Sequence, residues 1–553
     1  MKIGAAEEAD LDGFASELIG TCMASRRERV QMYNGLYHYY LFGAQEGSQS
    51  PYGKIYPHID LLKSYLYSQS TVEFDVSVEN QADSVYAQAD LIGRRATTRF
   101  HDNGIADTYD DALRLSFVWG STFIKLNTTA RPFEFAPYLI EPHNIGVLNE
   151  AVIDLSRQEA FCESYTISQA ELRRRVSVLP NAADIMRRVS ASPVSDDSEF
   201  PDSLHKIIVA GPSALTTGFT RGVVNVPDLF NQLQYRPHTG EDMVEMYELN
   251  VWDDTKEDYR TITIASPGVV IYGRKDIGNV LGLKGDHSYI HICPNRLHNY
   301  FYGWSEVTNL IKLQDWLSER LREIRRIMTL QADPPRAFSG FGGINDEKMA
   351  AFNSPGAYIG EPTPNAKIEN LAPELPQGLF DEIYAIQGFY NDISGLSDIL
   401  QGRGESGVRS KAQTDTLAKL GSARIKQRAQ AVEKSLEDVG LLIVRLMQKK
   451  DDYRYTLDGK AFTAEQFTDD FQVHVDAHSA SPVFVDDHKQ MALALLKMGA
   501  IDKVSALELV KPPKLDLLKQ RLKKNEEAKA AQMQKMLAMG IDPSGGGKKL
   551  KAV

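Results

Sequence analysis

Four residues close together in the chain, His287, His291, Cys293 and His298, are of types that ligate metals or act as nucleophile and base. Side-chain alternation along a strand places His291 and Cys293 on one face. A structural zinc site needs four ligands at tighter, paired spacings, and no partner Cys-x-x-Cys is present. Pro294 follows Cys293 directly. The group reads as packed or interfacial polar residues, with an enzyme built on His291 and Cys293 as the competing use. Stoichiometric zinc, or activity lost on Cys293→Ala, would favour that use.

Gly402-x-Gly404-x-x-Gly407 matches the dinucleotide fingerprint in spacing. The fingerprint works only after a hydrophobic strand, with an acid about twenty residues on to take the ribose hydroxyls. Here a helical segment precedes it, and Arg424 to Gln430 holds no acid. A mobile loop between two helices fits better, its glycines supplying backbone freedom. Gln401, Arg403, Arg409 and Lys411 then supply donors of the kind that meet phosphates; a plain surface connector stays open. Gly545-Gly-Gly-Lys-Lys fails the phosphate-loop spacing. No G-x-S-x-G or H-E-x-x-H occurs, and adjacent acids such as Asp110-Asp111 and Asp486-Asp487 read as solvated turns or caps. No catalytic residue, metal or cofactor is assigned. Arg320, Arg322, Arg325 and Arg326 form either a phosphate-binding stripe or a charge-laced face between helices, and interleaved Glu319 and Glu323 favour the second.

The elements that would position these residues follow from periodicity. The first hundred residues read as helical: Leu11, Phe14, Leu18, Ile19 and Cys22 recur at helical spacing, a second helix follows Pro57, and a third carries Leu91 and Ile92. Asp107 to Phe117 is a fourth. Short strands are expected over Gly120–Asn127, Phe133–Ile140 and Arg157–Tyr165. Ser168 opens a helix with Glu171 at the capping-box distance. Residues 192–203 read as an exposed loop, and Asp242 to Tyr272 as a hairpin turning at Asp253–Glu257.

Ser305 to Leu330 is one helical run of about 39 Å with Val307, Leu310, Leu313, Leu317, Leu321, Ile324 and Met328 on one face. Glu319 with Arg322, and Glu323 with Arg326, fall at i,i+3 on its polar side. Asp333-Pro-Pro stops it, and forty residues rich in Gly and Pro follow. Helix returns at Gly378. Beyond the glycine loop, Ser410 would cap the longest helix, about 58 Å as far as Lys449. After a small β piece, helices are expected at Asp487–Met498 and Leu515–Met539, then a basic tail.

A chain of 553 residues suggests about two to five domains. Its 42% hydrophobic and 25% charged residues exclude collagen-like, disulfide-scaffold and wholly disordered classes. Three scattered cysteines point to a reducing compartment. The acidic N-terminal stretch reads as no signal peptide, and no run of about 18 apolar residues predicts a membrane span. The net charge of −12 argues against a DNA-coating protein. From Lys511 onward, eleven basic and four acidic residues give +7, which leaves −19 for the rest. An acidic wall repels passing DNA, so this balance is compatible with a conduit.

The order of elements, α+β and multidomain, resembles the portal (head-to-tail connector) proteins of tailed double-stranded DNA bacteriophages. Tyr302-Gly-Trp-Ser-Glu-Val-Thr-Asn-Leu-Ile-Lys-Leu-Gln-Asp-Trp resembles the entry to their first stem helix. Ile393-Ser-Gly-Leu-Ser-Asp-Ile-Leu-Gln-Gly-Arg-Gly-Glu-Ser-Gly-Val-Arg-Ser-Lys-Ala is similar to their tunnel-loop segment. Trp119-Gly-Ser-Thr-Phe-Ile-Lys, Ile140-Glu-Pro-His-Asn-Ile and Lys54-Ile-Tyr-Pro-His-Ile-Asp-Leu-Leu are similar to wing strands and the N-terminal entry. Residues 192–227 have no counterpart.

The resemblance implies a helix-rich portal fold of wing, stem, clip and crown assembling as a ring of twelve at a capsid vertex. It implies a wing over 1–300, stem helices over 301–331 and 375–399, and a clip over 332–374. A tunnel loop over 400–410, a long wing helix and β piece over 411–485, and a crown over 486–553 complete it. Gln401, Gly402, Arg403, Gly404, Glu405, Gly407, Arg409 and Lys411 would face DNA. Lys312, Asp315, Glu319, Arg322, Glu323 and Arg326 would belong to the stem, and Arg336, Phe338, Phe341, Phe352 and Tyr358 would bind partners at the clip. The implied partners are other copies of the chain, double-stranded DNA, the terminase large subunit, a head-tail adaptor, and major capsid and scaffolding proteins. No membrane and no cofactor are implied. The place is the virion, and the host cytoplasm during assembly. The competing class is a structural or scaffolding virion protein without a DNA channel.

Overall fold

The computed structural model describes residues 10–45, 50, 52–69, 72–78, 83–128, 135–190, 243–266, 268–272, 287–332, 336–339, 367–370, 374, 376, 378–394, 423–450, 453–457, 460–467, 471–475, 494–498, 521–522 and 524. The chain divides into two units, one of 1–64 with 73–475 and one of 65–72 with 476–553. In the second unit the described residues include a helical turn at 494–498, within the expected crown helix.

The first unit is α+β. It opens with helices α1 (Leu11–Cys22), α2 (Arg26–Phe42) and α3 (Ile55–Leu66). The α3 helix starts two residues before Pro57 rather than after it. Proline is tolerated in a first turn because the amide it lacks has no intrahelical partner there. Strand β1 (Phe74–Val78) then interrupts the stretch expected to be wholly helical. Helices α4 (Asp83–Asp102) and α5 (Ile105–Trp119) lead to β2 (Thr122–Thr128), β3 (Phe135–Ile140), β4 (Ile145–Val147) and β5 (Ala160–Ser168). Helix α6 (Gln169–Val176) is capped as its sequence indicates: the Ser168 hydroxyl accepts from the Glu171 amide at 3.2 Å. Helix α7 (Ala182–Ser190) follows.

Strands β6 (Met243–Asp253), β7 (Asp258–Ala265) and β8 (Val269–Tyr272) extend an antiparallel sheet of order β4-β5-β6-β7-β8. The hairpin turns where Asp253 faces Asp258, as its polar turn predicts. The Asp253 carboxylate accepts from the Thr255 amide at 2.9 Å. One side of this sheet packs on α1 through Leu11, Ala15, Leu18 and Ile19. Its far end is covered by α6 and α7 through Leu172, Val176, Ile185 and Val189. A second sheet, β3-β2-β9, uses β9 (Tyr289–Ile292).

Helix α8 (Glu306–Ala332) has 27 residues and therefore spans about 40 Å. Strands β10 (Arg336–Ser339) and β11 (Lys367–Asn370) form a two-stranded antiparallel ribbon, and α9 (Gly378–Ser394) follows. Helix α10 is described from Ala423 to Lys450. Strands β12 (Arg454–Leu457) and β13 (Lys460–Thr463) pair with each other. Strand β14 (Phe471–Val475) does not join them; it pairs with β1, Phe74 facing Val475.

That long-range pair sits under two helices and needs glycine on both. A Cβ on Gly93 of α4 would lie 2.6 Å from the Phe74 carbonyl oxygen. One on Gly440 of α10 would overlap the Phe74 ring. Only a missing side chain lets both helix backbones approach the strand.

Candidate functional site

The residues expected to do the work divide between α8, the ribbon, α9 and the glycine loop. Gln401, Gly402, Arg403, Gly404, Glu405, Gly407, Arg409 and Lys411 lie outside the described residues, as do Phe341, Phe352 and Tyr358. Arg336 and Phe338 fall on β10, opposite Asn370 and Ile368.

Helix α9 runs back along α8. Tyr390 meets Gln314, Trp316 donates to Glu382 at 2.8 Å, and Arg320 reaches Glu382 at 2.9 Å. Rising numbers on α8 meet falling numbers on α9, so the two are antiparallel. The ribbon β10–β11 lies between them in the chain, as a helical hairpin requires. Val307, Leu310, Leu317 and Ile324 of the expected apolar face are buried, whereas Met328 near the ribbon is 55% exposed.

On the charged side of α8, Arg320 bridges to the neighbouring helix while Arg322, Arg325 and Arg326 are exposed. Arg320 pairs with Glu323 on its own helix and with Glu382 on α9. Lys312, Asp315, Glu319, Arg322 and Arg326 are exposed, and Glu323 is intermediate. Asp315 accepts from the Tyr39 hydroxyl at 3.1 Å, which ties α8 to α2. Such surface pairs contribute roughly 0–1 kcal/mol each and set geometry more than stability.

The base of the hairpin is held by polar groups that the apolar pattern does not announce. Gln314 is fully buried inside the helix's inner face. Its amide nitrogen donates to the Tyr52 carbonyl at 2.8 Å and to the Ser50 hydroxyl at 3.0 Å. Its amide oxygen accepts from the Lys54 amide and from the Tyr390 hydroxyl, each at 3.0 Å. Ser318, one turn on, bonds Ser50 at 2.6 Å. Gln314 and Ser318 at i,i+4 within an otherwise apolar stripe are the signal that could have revealed this lock.

At the start of α8, Glu306 is wholly buried and Arg428 of α10 meets both its oxygens at 3.0 Å. Asn295 bridges the pair, donating to Glu306 and accepting from Arg428, each at 3.1 Å. Burial pushes the Glu306 carboxyl upward, and the guanidinium opposes that. A second buried network joins the two sheets. The Lys125 ammonium contacts Glu163 at 2.7 Å and Glu248 at 2.8 Å, and the Tyr289 hydroxyl donates to the same two oxygens.

The His–Cys group is not arranged as a nucleophile and base. Cys293 is buried, and burial pushes its thiol up to about 12, which keeps it protonated. Its sulfur fits against Gly303, whose φ of +69° and missing side chain leave the room. His291 forms a three-ring cluster with Phe123 and Phe301 and is pushed down to about 3 by burial. Among the described residues no three or more His, Cys, Asp or Glu side chains are placed to hold a metal ion. No helix among them is long and apolar enough to cross a membrane.

No family model and no curated protein matches this chain. Among solved structures it is similar to a chain of the virion of a native gene transfer agent particle. The identity is 9% and the TM-score 0.40, over 88% of this chain and 94% of that one. Likeness at that level establishes neither fold nor function.

Proposed function

We propose that this protein is a portal: a ring-forming connector at one capsid vertex through which double-stranded DNA is packaged and ejected. The observation that carries the reading is the antiparallel hairpin of α8 and α9, with the β10–β11 ribbon at its far end and the Gln314 lock at its base. In this reading the hairpin is the stem, the ribbon belongs to the clip, and the sheets with α10 form the wing. The clip meets the terminase large subunit and later the head-tail adaptor, while the wing and crown meet major capsid and scaffolding proteins. The loop with Arg403 and Arg409 faces DNA, and the chain itself catalyses no reaction.

Two features support self-association. Phe380 and Tyr384 lie one turn apart on α9, away from the buried Ile386 and Tyr390, and are 44% and 71% exposed. Met328 of α8 is also exposed. Apolar surface on a paired hairpin is expected to be covered by a neighbouring copy. Native mass spectrometry or negative-stain imaging tests this. Twelve copies of a 61.7 kDa chain make a ring of about 740 kDa. A monomer at all salt concentrations would reject the reading. Arg403→Ala with Arg409→Ala should reduce DNA retention in packaged heads, whereas a scaffolding protein without a channel would show no change.

A further inference from the structure

A cleft of about 500 Å³ lies between α10 and the strand β9, and its lining includes His291, Arg296, Lys434, Asp438 and Arg445. It has the size of a small-ligand site. Lys434, Asp438, Leu441 and Arg445 follow at helical spacing, so α10 presents one face to it.

The cleft gathers charged groups and one unmet acceptor. Arg296 and Lys434 make no close ion pair among the described residues, but Asp438 interacts electrostatically with both, and Asp154 lines the same cavity. His291 is held rigidly, its ring centroid 4.6 Å from those of both Phe123 and Phe301. One ring nitrogen is engaged with the Ile153 backbone. The other, Nε2, is buried without a hydrogen-bond partner. A ring that donates from one nitrogen presents a lone pair at the other. Burial keeps this imidazole neutral at pH 7, so Nε2 can only accept.

Arg296, Lys434 and Arg445 exceed the carboxylates Asp154 and Asp438 by one charge, which suits an anion, and a buried acceptor calls for a donor on that same anion. Phosphate supplies both, because near neutral pH inorganic phosphate keeps an O–H beside its charged oxygens. Sulfate has the same shape and charge but no O–H. We propose that this cleft binds a protonated phosphate group, its oxygens held by Arg296 and Lys434 and its O–H donated to His291 Nε2. The source is either free phosphate or the terminal phosphate of a nucleotide. The chemistry of the cleft is independent of ring assembly.

Isothermal titration calorimetry on the full-length protein at pH 6, where about half of a phosphate monoester keeps its O–H, and at fixed ionic strength tests it, with potassium phosphate, potassium sulfate and a nucleoside monophosphate as probes. Phosphate should bind saturably, and sulfate at least about tenfold more weakly, because sulfate leaves the buried acceptor unmet. Arg296→Gln with Lys434→Gln should abolish binding; both positions are exposed, so the fold should survive, as circular dichroism would check. Arg187→Gln, at an exposed position whose ion-pair partner Asp184 also lies outside the cleft lining, should change nothing. A monophosphate binding tenfold tighter than phosphate would identify a nucleotide as the source; equal or weaker binding would identify the free ion. Sulfate binding as well as phosphate, binding retained in the double variant, or no saturable binding up to about 20 mM would each overturn the proposal.

Discussion

Arg428 meets both oxygens of the wholly buried Glu306 at 3.0 Å, and this pair fixes the start of α8 to α10. The two residues are 122 positions apart in the chain. One guanidinium nitrogen, Nη2, bridges both oxygens while Nε donates to Asn295, so the planar group serves two partners at once. A buried carboxylate with its cation removed retains the full cost of desolvation. Arg428→Met should therefore destabilise the protein by about 3–5 kcal/mol in denaturant unfolding. Glu306→Gln should cost less, and the double variant less than the sum of the two. Additive losses would show that the pair is not coupled.

Lys125 is shared by two glutamates. Lys125→Met should leave Glu163 and Glu248 facing each other and cost about 3–5 kcal/mol. Glu163→Gln should cost markedly less, because Lys125 keeps Glu248. Equal losses in the two unfolding curves would contradict the shared-cation arrangement.

His58 predicts an acid limb in stability. Burial, with Arg428 and Lys54 nearby, lowers it from 6.5 to about 4. The unfolded chain therefore takes up a proton at a pH where the folded chain does not. Its contribution is fully present above pH 6.5 and is lost as pH falls towards 4, with a slope of about 1.4 kcal/mol per pH unit. His143, His287 and His291 are lowered in the same way, so thermal unfolding from pH 7 to pH 4.5 should show at least this slope, and His58→Gln should remove about one proton's worth of it. An unchanged slope in the variant would place the acid sensitivity elsewhere.

Gly440 should resist substitution. Gly440→Ala pushes a methyl group into the Phe74 ring and should cost about 1–3 kcal/mol despite alanine's better helix propensity. Pairing Gly440→Ala with Phe74→Leu should recover part of the loss. No recovery would mean that the helix and strand backbones themselves cannot adjust.

Tyr384 is the place to test assembly. Tyr384→Asp changes a side chain that is 71% exposed, so the protomer's thermal midpoint should move by no more than a few degrees. Native mass should nevertheless shift from ring to smaller species. A full ring from this variant would remove the outer face of α9 from the interface.

Much of the fold was legible. Periodicity marked α1, α5, α8 and α9 to within a few residues and placed α4 by Leu91 and Ile92, because each buries one apolar stripe, whereas α2 was not set apart as a helix of its own. Ser168 marked the start of α6, and Asp253 to Glu257 marked the hairpin turn, because caps and turns are local chemistry. Strand β1 was missed although Phe74, Val76 and Val78 alternate with polar residues, since five residues among helices give a weak signal and their partner is Phe471–Val475. Arg320 also paired differently from the spacing on its own helix alone. Glu319–Arg322 and Glu323–Arg326 were the expected i,i+3 pairs, but the neighbouring helix brings Glu382 into reach of Arg320.

The sequence by itself determined what depends on neighbours within a few turns: helix spans, strand alternation, caps, and the polar side that α8 keeps exposed. It also set the charge balance, −12 overall with +7 gathered from Lys511 onward. Only the tertiary structure decided which distant groups share a buried space. Glu306 with Arg428, Lys125 with two glutamates, Gln314 with Tyr52 and Tyr390, and His291 facing the cleft with Arg296 and Lys434 are all such cases. The reason is physical. Local propensities act through the backbone over a few residues, whereas the burial and pairing of a charge depend on what the rest of the chain packs against it.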